Sequence, residues 1–332
     1  MNYENERQVA IEAVRKACML CSRVRATLVS EETIAKRDKS PVTVADFGAQ
    51  AVVISALLAA FPDAPVVGEE DAADLRAPGG REIREKVVRH VRLIEPGMSE
   101  DEILSAIDHG KYAGGPRGRH WTLDPIDGTK GFLRGEQYAV ALALIEDGQV
   151  VLGVLGCPNL PVDPADPAGP QGCLFVAGRG TGTQMQALGT PDIRPVRVTS
   201  VADPVDASFC ESVESGHSAH DDAARIAQLL GVTAPPCRMD SQCKYAAVAR
   251  GQASIYLRLP TRADYQEKIW DHAAGCIIVQ EAGGQVSDIH GRPLDFSLGR
   301  TLRDNKGVIA TNRLLHDTVI GAAQKVSGTF LA

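Results

Sequence analysis

The sequence predicts a layered α/β fold: a mostly antiparallel sheet with covering helices over residues 1–200, and a smaller α/β unit over 201–332. Three observations carry that expectation. Residues 4–60 hold two long segments of helical apolar periodicity, residues 120–199 crowd strand signals between short turns, and the pattern after about residue 200 alternates strand with helix. A chain of 332 residues is also long enough for two units of ordinary size.

In order along the chain, Val9, Ala13, Ala17, Leu20 and Val24 mark one face of a helix over 4–29. Cys18 and Cys21 lie on it with C-x-x-C spacing; no second Cys/His pair completes a zinc pattern, so they read as core or surface thiols. Pro41 and the β-branched Val42, Thr43 and Val44 predict extended backbone or a turn, ahead of a second helix at about 46–60 that stops before Pro62. Residues 65–70 read as a short buried strand ending in two acids, and 81–92 as a helix with a solvated, mixed-charge face. Strands are expected at 120–123, 138–145, 150–157 and 173–177, with a weaker one at 195–199. Glu146-Asp147-Gly148 marks a tight hairpin, and 158–172, rich in Pro, Asp and Gly, reads as a loop. Beyond residue 200 come a strand at 207–210, helices at 218–230 and 241–250, a strand at 255–259, a helix at 271–282, a strand at 308–310 and a closing helix.

Composition narrows the function. Hydrophobic residues at 44% and charged residues at 23% exclude a disordered or fibrous chain. A net charge of −7 argues against nucleic acid or an anionic membrane, both of which call for clustered Lys and Arg, and equally against an anionic small substrate unless a bound cation overturns that inference. The chain itself is expected to be a monomer or weak homodimer with a small-molecule substrate. No apolar run approaches the roughly 20 residues of a membrane span. Residues 2–12 carry three Glu, unlike a secretory signal or a transit peptide. The expected compartment is therefore the cytoplasm, or a chloroplast or mitochondrion if a transit peptide has been removed. Eight cysteines over 332 residues are too sparse for a secreted disulfide scaffold.

The chemistry concentrates in Trp121-Thr-Leu-Asp124-Pro-Ile-Asp127-Gly-Thr129-Lys130-Gly131-Phe132. A strand ends, Pro125 forces a turn, and Asp124 and Asp127 can face one point, where hard divalent cations take oxygen ligands, including a backbone carbonyl such as that of Ile126. Gly128 permits close backbone approach. Other acids sit at similar joints: Glu69 past a strand, Asp46 where extended backbone gives way to a helix, Asp271 ahead of an apolar run. Asp46 and Asp271 equally read as helix caps. Carboxylates that converge without a cation raise one another's pKa, so convergence would imply a bound metal.

The order Gly68-Glu69-Glu70, Asp124-Pro-Ile-Asp127-Gly-Thr129 and Trp270-Asp271-His-Ala-Ala-Gly275 resembles the lithium-sensitive, magnesium-dependent phosphatases of the inositol monophosphatase superfamily. Ser40-Pro-Val-Thr-Val-Ala-Asp46, Thr129-Lys-Gly-Phe-Leu-Arg-Gly135, Gly216-His217-Ser, Asp240-Ser241-Gln-Cys-Lys244-Tyr and Tyr256-Leu-Arg258-Leu-Pro narrow the resemblance to the 3'(2'),5'-bisphosphate nucleotidases, the plant type most closely. Lys130-Gly131-Phe132 stands where inositol monophosphatases usually carry Thr-Asn-Phe.

The resemblance implies a sugar-phosphatase-like alternation of α-β-α-β-α layers. It implies two or three Mg²⁺ ions, inhibition by Li⁺, and a metal set of Glu69, Asp124, Asp127, Asp271 and the Ile126 carbonyl. Asp46 and Thr129 would orient and deprotonate the attacking water. Ser241, as the cap of the helix it opens, Lys244 as a mobile charge and Arg258 as a fork would hold the second phosphate, with Thr129 and Asp271 also touching substrate and His217 near the base. The implied activity is hydrolysis of the 3'-phosphate of adenosine 3',5'-bisphosphate and of 3'-phosphoadenylyl sulfate. The alternatives are an inositol polyphosphate 1-phosphatase and a redox- or metabolite-sensing nucleotide binder with weak turnover. Cys157 and Cys173 resemble paired positions of plant-type members, implying a redox pair; two small buried hydrophobes in a sheet is the other reading.

Overall fold

The computed structural model describes residues 3–31, 40–213, 220–260, 262 and 264–327. Helix α1 (Glu4–Glu31) buries Ala10, Ala13, Val14, Ala17, Cys18, Leu20, Cys21 and Val24 along one face, at the spacing the sequence marked. Helix α2 (Ser40–Ala60) differs from expectation, because it already includes the Pro41–Val44 segment read as extended. Proline fits a first helical turn, where its missing N–H would have had no partner, and burial of Val44 and Ala45 outweighs the weak β preference. Asp46 is consequently neither a junction nor a cap residue; it sits in the second turn. The helix is apolar nearly all round because it is covered all round, by α1, the sheet and two later helices.

The chain continues through β1 (Val66–Gly68), the short α3 (Ala73–Arg76), α4 (Arg81–Arg92) and α5 (Glu100–Asp108). Helix α4 keeps its charged face outside and buries Val87, Val88, His90 and Val91. Helix α5 has no counterpart in the sequence reading, although Ser99 and Glu102 form a capping box at its start.

A seven-stranded sheet then follows sequence order: β1, β2 (Arg119–Asp127), β3 (Ala139–Glu146), β4 (Gln149–Pro161), β5 (Gln171–Gly178), β6 (Gly182–Ala187) and β7 (Ile193–Val196). All its pairs are antiparallel except β1 with β2. The six-residue helix α6 (Thr129–Arg134) separates β2 from β3. Asp147 (φ 49°) and Gly148 (φ 74°) make the tight β3–β4 turn. The expected loop at 158–172 is shorter, because β4 runs through Pro161 and β5 resumes at Gln171.

The remaining elements are β8 (Phe209–Glu211), α7 (His220–Leu229), β9 (Cys237–Arg238), α8 (Cys243–Ala249), β10 (Ile255–Arg258), α9 (Ala273–Glu281), β11 (Gln285–Ser287), β12 (Val308–Thr311) and α10 (His316–Ser327). Their strands form a five-stranded sheet in the order β11-β12-β10-β8-β9. The apolar clusters show five layers. One core lies between α1–α2 and the first sheet, one packs α8 and α9 between the two sheets, and one lies between the second sheet and α7 and α10. With helices on both faces, β3 is buried along nearly its whole length, which is why it reads as an apolar run instead of alternating. Among the described residues no helix is long and apolar enough to cross a membrane.

Candidate active site

Four chain ends meet at one edge of the middle helical layer. Pro125 cannot donate to the sheet ladder, and the β2–β3 register shifts between Asp124 and Asp127, so β2 ends in an irregular turn that brings both acids to the same side. Gly128 follows with φ 88°. A side chain there would be strained, and its Cβ would meet Ser241 Cβ at 2.8 Å. Glu69 leaves β1, Asp271 precedes α9, and Ser241 to Lys244 open α8.

Together they line a cavity of about 520 Å³ whose walls include Glu69, Asp124, Ile126, Asp127, Thr129, Ser241, Lys244, Arg258 and Asp271. Asp46 does not line it; this carboxyl is buried beside Glu69 and Glu70, and no hydrogen bond joins it to Thr129 among the described residues. His217 lies outside the described residues.

Cys157 and Cys173 face each other in register across β4 and β5, both buried and free.

The acids are held far from their ordinary state. Burial pushes Asp124 well up, and Glu69, Asp127, Asp271 and Asp46 add repulsion. Burial and Asp271 raise Glu69 to about 8, a hydrogen bond from Asp124 opposing the rise. Two carboxyls make such a bond only with a proton between them. Asp46 is pushed well above the carboxylate range by burial, then by Glu70 and Glu69. Asp271 is raised to about 6, burial outweighing the pull of Arg258.

A second acidic trio, Glu267, Asp271 and His272, has ligand atoms within 4.8 Å of one another, but those atoms are already engaged. Arg258 Nη2 lies 2.8 Å from Glu267 Oε2 and 3.2 Å from Asp271 Oδ2, and His272 bridges Glu267 (3.0 Å) and the Tyr245 hydroxyl (2.8 Å). That trio anchors Arg258. In the first cluster, by contrast, Asp124 Oδ1 is buried without a hydrogen-bond partner. Hard oxygen donors, mutual repulsion and an orphaned carboxylate oxygen fit a hard divalent cation.

Three expectations change. Ser241 does not cap α8: Gln242 holds that position, while Ser241 has left-handed backbone (φ 65°) and its Oγ accepts from the Cys243 amide at 3.2 Å. Asp271 does not cap α9, whose N-cap position belongs to His272, and the His272 side chain makes no capping bond. Lys244 is buried, not mobile; its Nζ donates to the Met239 carbonyl (3.3 Å) and lies over the Tyr256 ring, and burial lowers its pKa.

Three residues that sequence reasoning passed over position the acids. Gln50 of α2 donates to the Glu70 carbonyl (2.7 Å) and accepts from the Glu70 amide (3.1 Å). The Gln242 amide donates to Asp127 Oδ2 (2.6 Å), its side chain donates to the Trp270 carbonyl (2.9 Å), and its Oε1 accepts from the Gly275 amide (3.0 Å). Arg300 donates to the Gly68 carbonyl (2.6 Å) and stacks over Trp270. Nothing local in the sequence signals these roles, since each depends on where distant segments end.

Comparison with known proteins gives one direction. A profile of the inositol monophosphatase family matches residues 2–327. The chain is 48% identical to a 3'(2'),5'-bisphosphate nucleotidase of Emericella nidulans, over 98% of this chain and 99% of that protein. It is equally 48% identical to proteins of the same name from Schizosaccharomyces pombe (98% and 97% covered) and Oryza sativa (97% and 94%). Among solved structures, an inositol monophosphatase from Anabaena (Nostoc) sp. PCC 7120 superposes with a TM-score of 0.65 at 20% identity, covering 98% and 97% of the two chains, a likeness of fold.

Proposed function

Because the chain belongs to the inositol monophosphatase family, we propose that it is a Mg²⁺-dependent phosphatase that removes the 3'-phosphate of adenosine 3',5'-bisphosphate, giving AMP and phosphate, and acts likewise on 3'-phosphoadenylyl sulfate. The observation that carries the reading is the convergence of Glu69, Asp124, Asp127 and Asp271 with Lys244 and Arg258 around one cavity. Acids alone would repel a bisphosphate; acids that hold cations, beside two fixed positive side chains, accept one.

In this reading Glu69, Asp124, Asp127, Asp271 and the Ile126 carbonyl hold the metal. When bound, Mg²⁺ neutralises charge on the scissile phosphate and acidifies a water, while Li⁺ inhibits. Thr129, exposed at the start of α6, orients the attacking water through its hydroxyl. Asp46, unlinked to Thr129 among the described residues and held protonated by burial and by Glu70 and Glu69 in the metal-free protein, is assigned to take up the proton once bound cations offset that repulsion. Lys244, Arg258 and the Ser241 hydroxyl receive the second phosphate, and His217 is assigned to the base. Arg258 is held in place by Glu267 and Asp271, so it meets the substrate without first being ordered.

Phosphate release from adenosine 3',5'-bisphosphate, 3'-phosphoadenylyl sulfate and inositol polyphosphates, with and without Mg²⁺ and Li⁺, tests the proposal. Release from the nucleotides that needs Mg²⁺ and falls in Li⁺ is expected; faster release from inositol polyphosphates at matched concentration would overturn the substrate assignment. Asp127→Ala should abolish turnover, and a near-parental rate would refute the metal set.

Two structural features belong to the same proposal. The boundary near residue 200 separates the two sheets. Cys157 and Cys173 close a disulfide when hydrogen peroxide takes two electrons and both thiol protons from them and is reduced to two molecules of water. Intact mass under peroxide checks the pair: the parent should lose two thiols from its starting count, whereas Cys157→Ser, which begins one thiol short, should lose none, and equal losses would refute it.

A further inference from the structure

On the face of β2 turned away from α1 and α2, His120, Thr122 and Asp124 follow one another at every second position, so they share one side of the strand. Trp121 and Leu123, between them, belong to the opposite core under α1 and α2. The three polar residues are 1, 1 and 2% exposed. Among the described residues, both ring nitrogens of His120, Thr122 Oγ1 and Asp124 Oδ1 have no hydrogen-bond partner. Native chains satisfy nearly all such groups, because a buried donor or acceptor without a partner keeps its full desolvation cost.

The row's cross-strand neighbours are Ile145, Ala143 and Ala141 on β3 and, beside Thr122, Val67 on β1; the two alanines, each bearing a single methyl, leave room next to Thr122 and Asp124. Alternate residues of a strand lie roughly 6.7 Å apart, a gap that one water with two hydrogen bonds spans once the side chains lean toward it. Burial lowers His120 to about 4, so at neutral pH its ring is uncharged and offers one donor and one acceptor. At the far end the ring lies 5.5 Å from that of Tyr112, which is 37% exposed and does not line the cavity. The row therefore runs from the acid cluster to the surface behind it.

We propose that this row is a water-binding site: ordered waters link His120, Thr122 and Asp124 into a hydrogen-bonded chain between the acid cluster and the surface near Tyr112. The inference rests on Asp124 belonging to the reaction site. Each hydrolysis consumes one water, and this chain supplies it while substrate fills the mouth of the cavity. Thr122 and His120 are positioning residues for that water.

Diffraction from the intact protein, at a resolution that places ordered water, tests the site without any turnover. Water within hydrogen-bond distance of Thr122 Oγ1 and of a His120 ring nitrogen is expected; a dry row, or one closed onto protein atoms, overturns the proposal. Thr122→Val removes the hydroxyl at nearly constant shape. It should displace the neighbouring water and lower kcat for the bisphosphate roughly tenfold, the scale of one lost hydrogen-bonded link. KM should hold while the solvent deuterium isotope effect grows, and Thr122→Ser should restore both. A Thr122→Val enzyme with parental kcat and isotope effect overturns the conducting role. A parent that releases no phosphate refutes the phosphatase reading instead, and the diffraction result still decides the water site.

Discussion

Gln242 ties together two cavity-lining acids from distant segments, Asp127 at the end of β2 and Asp271 just ahead of α9. Its amide holds Asp127 at the end of β2, and its side chain ties the Trp270 carbonyl and the Gly275 amide on either side of Asp271. Gln242→Leu keeps the backbone bond and deletes both side-chain bonds, leaving a buried carbonyl and amide unpaired. A stability loss of about 2–4 kcal/mol is expected by urea denaturation, with weaker Mg²⁺ binding by calorimetry and a nucleotide KM that moves less than kcat. The acids themselves make the metal-free protein sensitive to base. A carboxyl whose pKa is raised by folding keeps a proton that the unfolded chain has released, so its contribution is present below the unfolded pKa and lost as pH climbs through the folded one. Glu69, raised to about 8 by burial and by Asp271, extends that window to about pH 8. Thermal melts in chelator should therefore show Tm falling from about pH 5 to about pH 8, and Mg²⁺, which replaces the protons, should raise Tm more at the upper end. A flat Mg²⁺ increment would refute convergence of these acids. Asp124 and Asp127 were legible in the sequence because a proline after a strand aims nearby acids at one point. Gln242 was not, because an amide's value as a tie depends on partners 28 and 33 residues away in Trp270 and Gly275 and 115 away in Asp127.

Helix α9 carries Asp271 into the site only if its first turn lies close against α8. A Cβ on Gly275 would meet Tyr245 Cδ2 at 2.3 Å and Cγ at 2.4 Å, and that ring is fully buried with its hydroxyl bonded to His272. The ring cannot yield, so Gly275→Ala should push the two helices apart at a cost of about 1–3 kcal/mol or more, and Mg²⁺ affinity should fall as Asp271 moves. Gly321 in α10 is the matched control: nothing lies within 4 Å of its Cβ position. Gly321→Ala should stabilise the protein by about 0.5–1 kcal/mol through helix propensity and leave Mg²⁺ binding unchanged. Urea melts of both variants check the opposite signs. At this scale the sequence was readable where one rule governed and misleading where two competed. The Asp147-Gly148 hairpin followed from turn chemistry alone. The start of α2 was misread because Pro41 and three β-branched residues signal extension, whereas proline is also the residue best suited to a first helical turn. The N-cap readings of Ser241 and Asp271 failed because each sits one residue before the N-cap, where its side chain is free to face the cavity.

Across the whole molecule, a net charge of −7 conceals a site built for anions. Composition averages over position, and Glu69, Asp124, Asp127 and Asp271 become meaningful only because the five layers bring the segments that carry them to one cavity. The same layering decides how the protein unfolds. The central apolar cluster contains Ala139, Ala141, Ala143, Phe175 and Met185 from the first sheet, Cys210, Tyr256, Val308 and Ala310 from the second, and residues of α8 and α9 between them. Separating the halves near residue 200 would expose that layer on both, and each fully buried Leu, Ile or Phe returned to water costs about 1.5–3 kcal/mol. The sheets are therefore separable in sequence but not in stability. Trp121, in the core beneath α1 and α2, and Trp270, in the layer between the sheets, provide two local probes. With Trp270→Phe and Trp121→Phe variants each reporting one tryptophan, guanidinium unfolding should give fluorescence midpoints that coincide with one another and with the far-ultraviolet circular dichroism transition. Midpoints that separate would show that the boundary near residue 200 divides the core as well as the sheets, and residues 201–332 expressed alone should then fold.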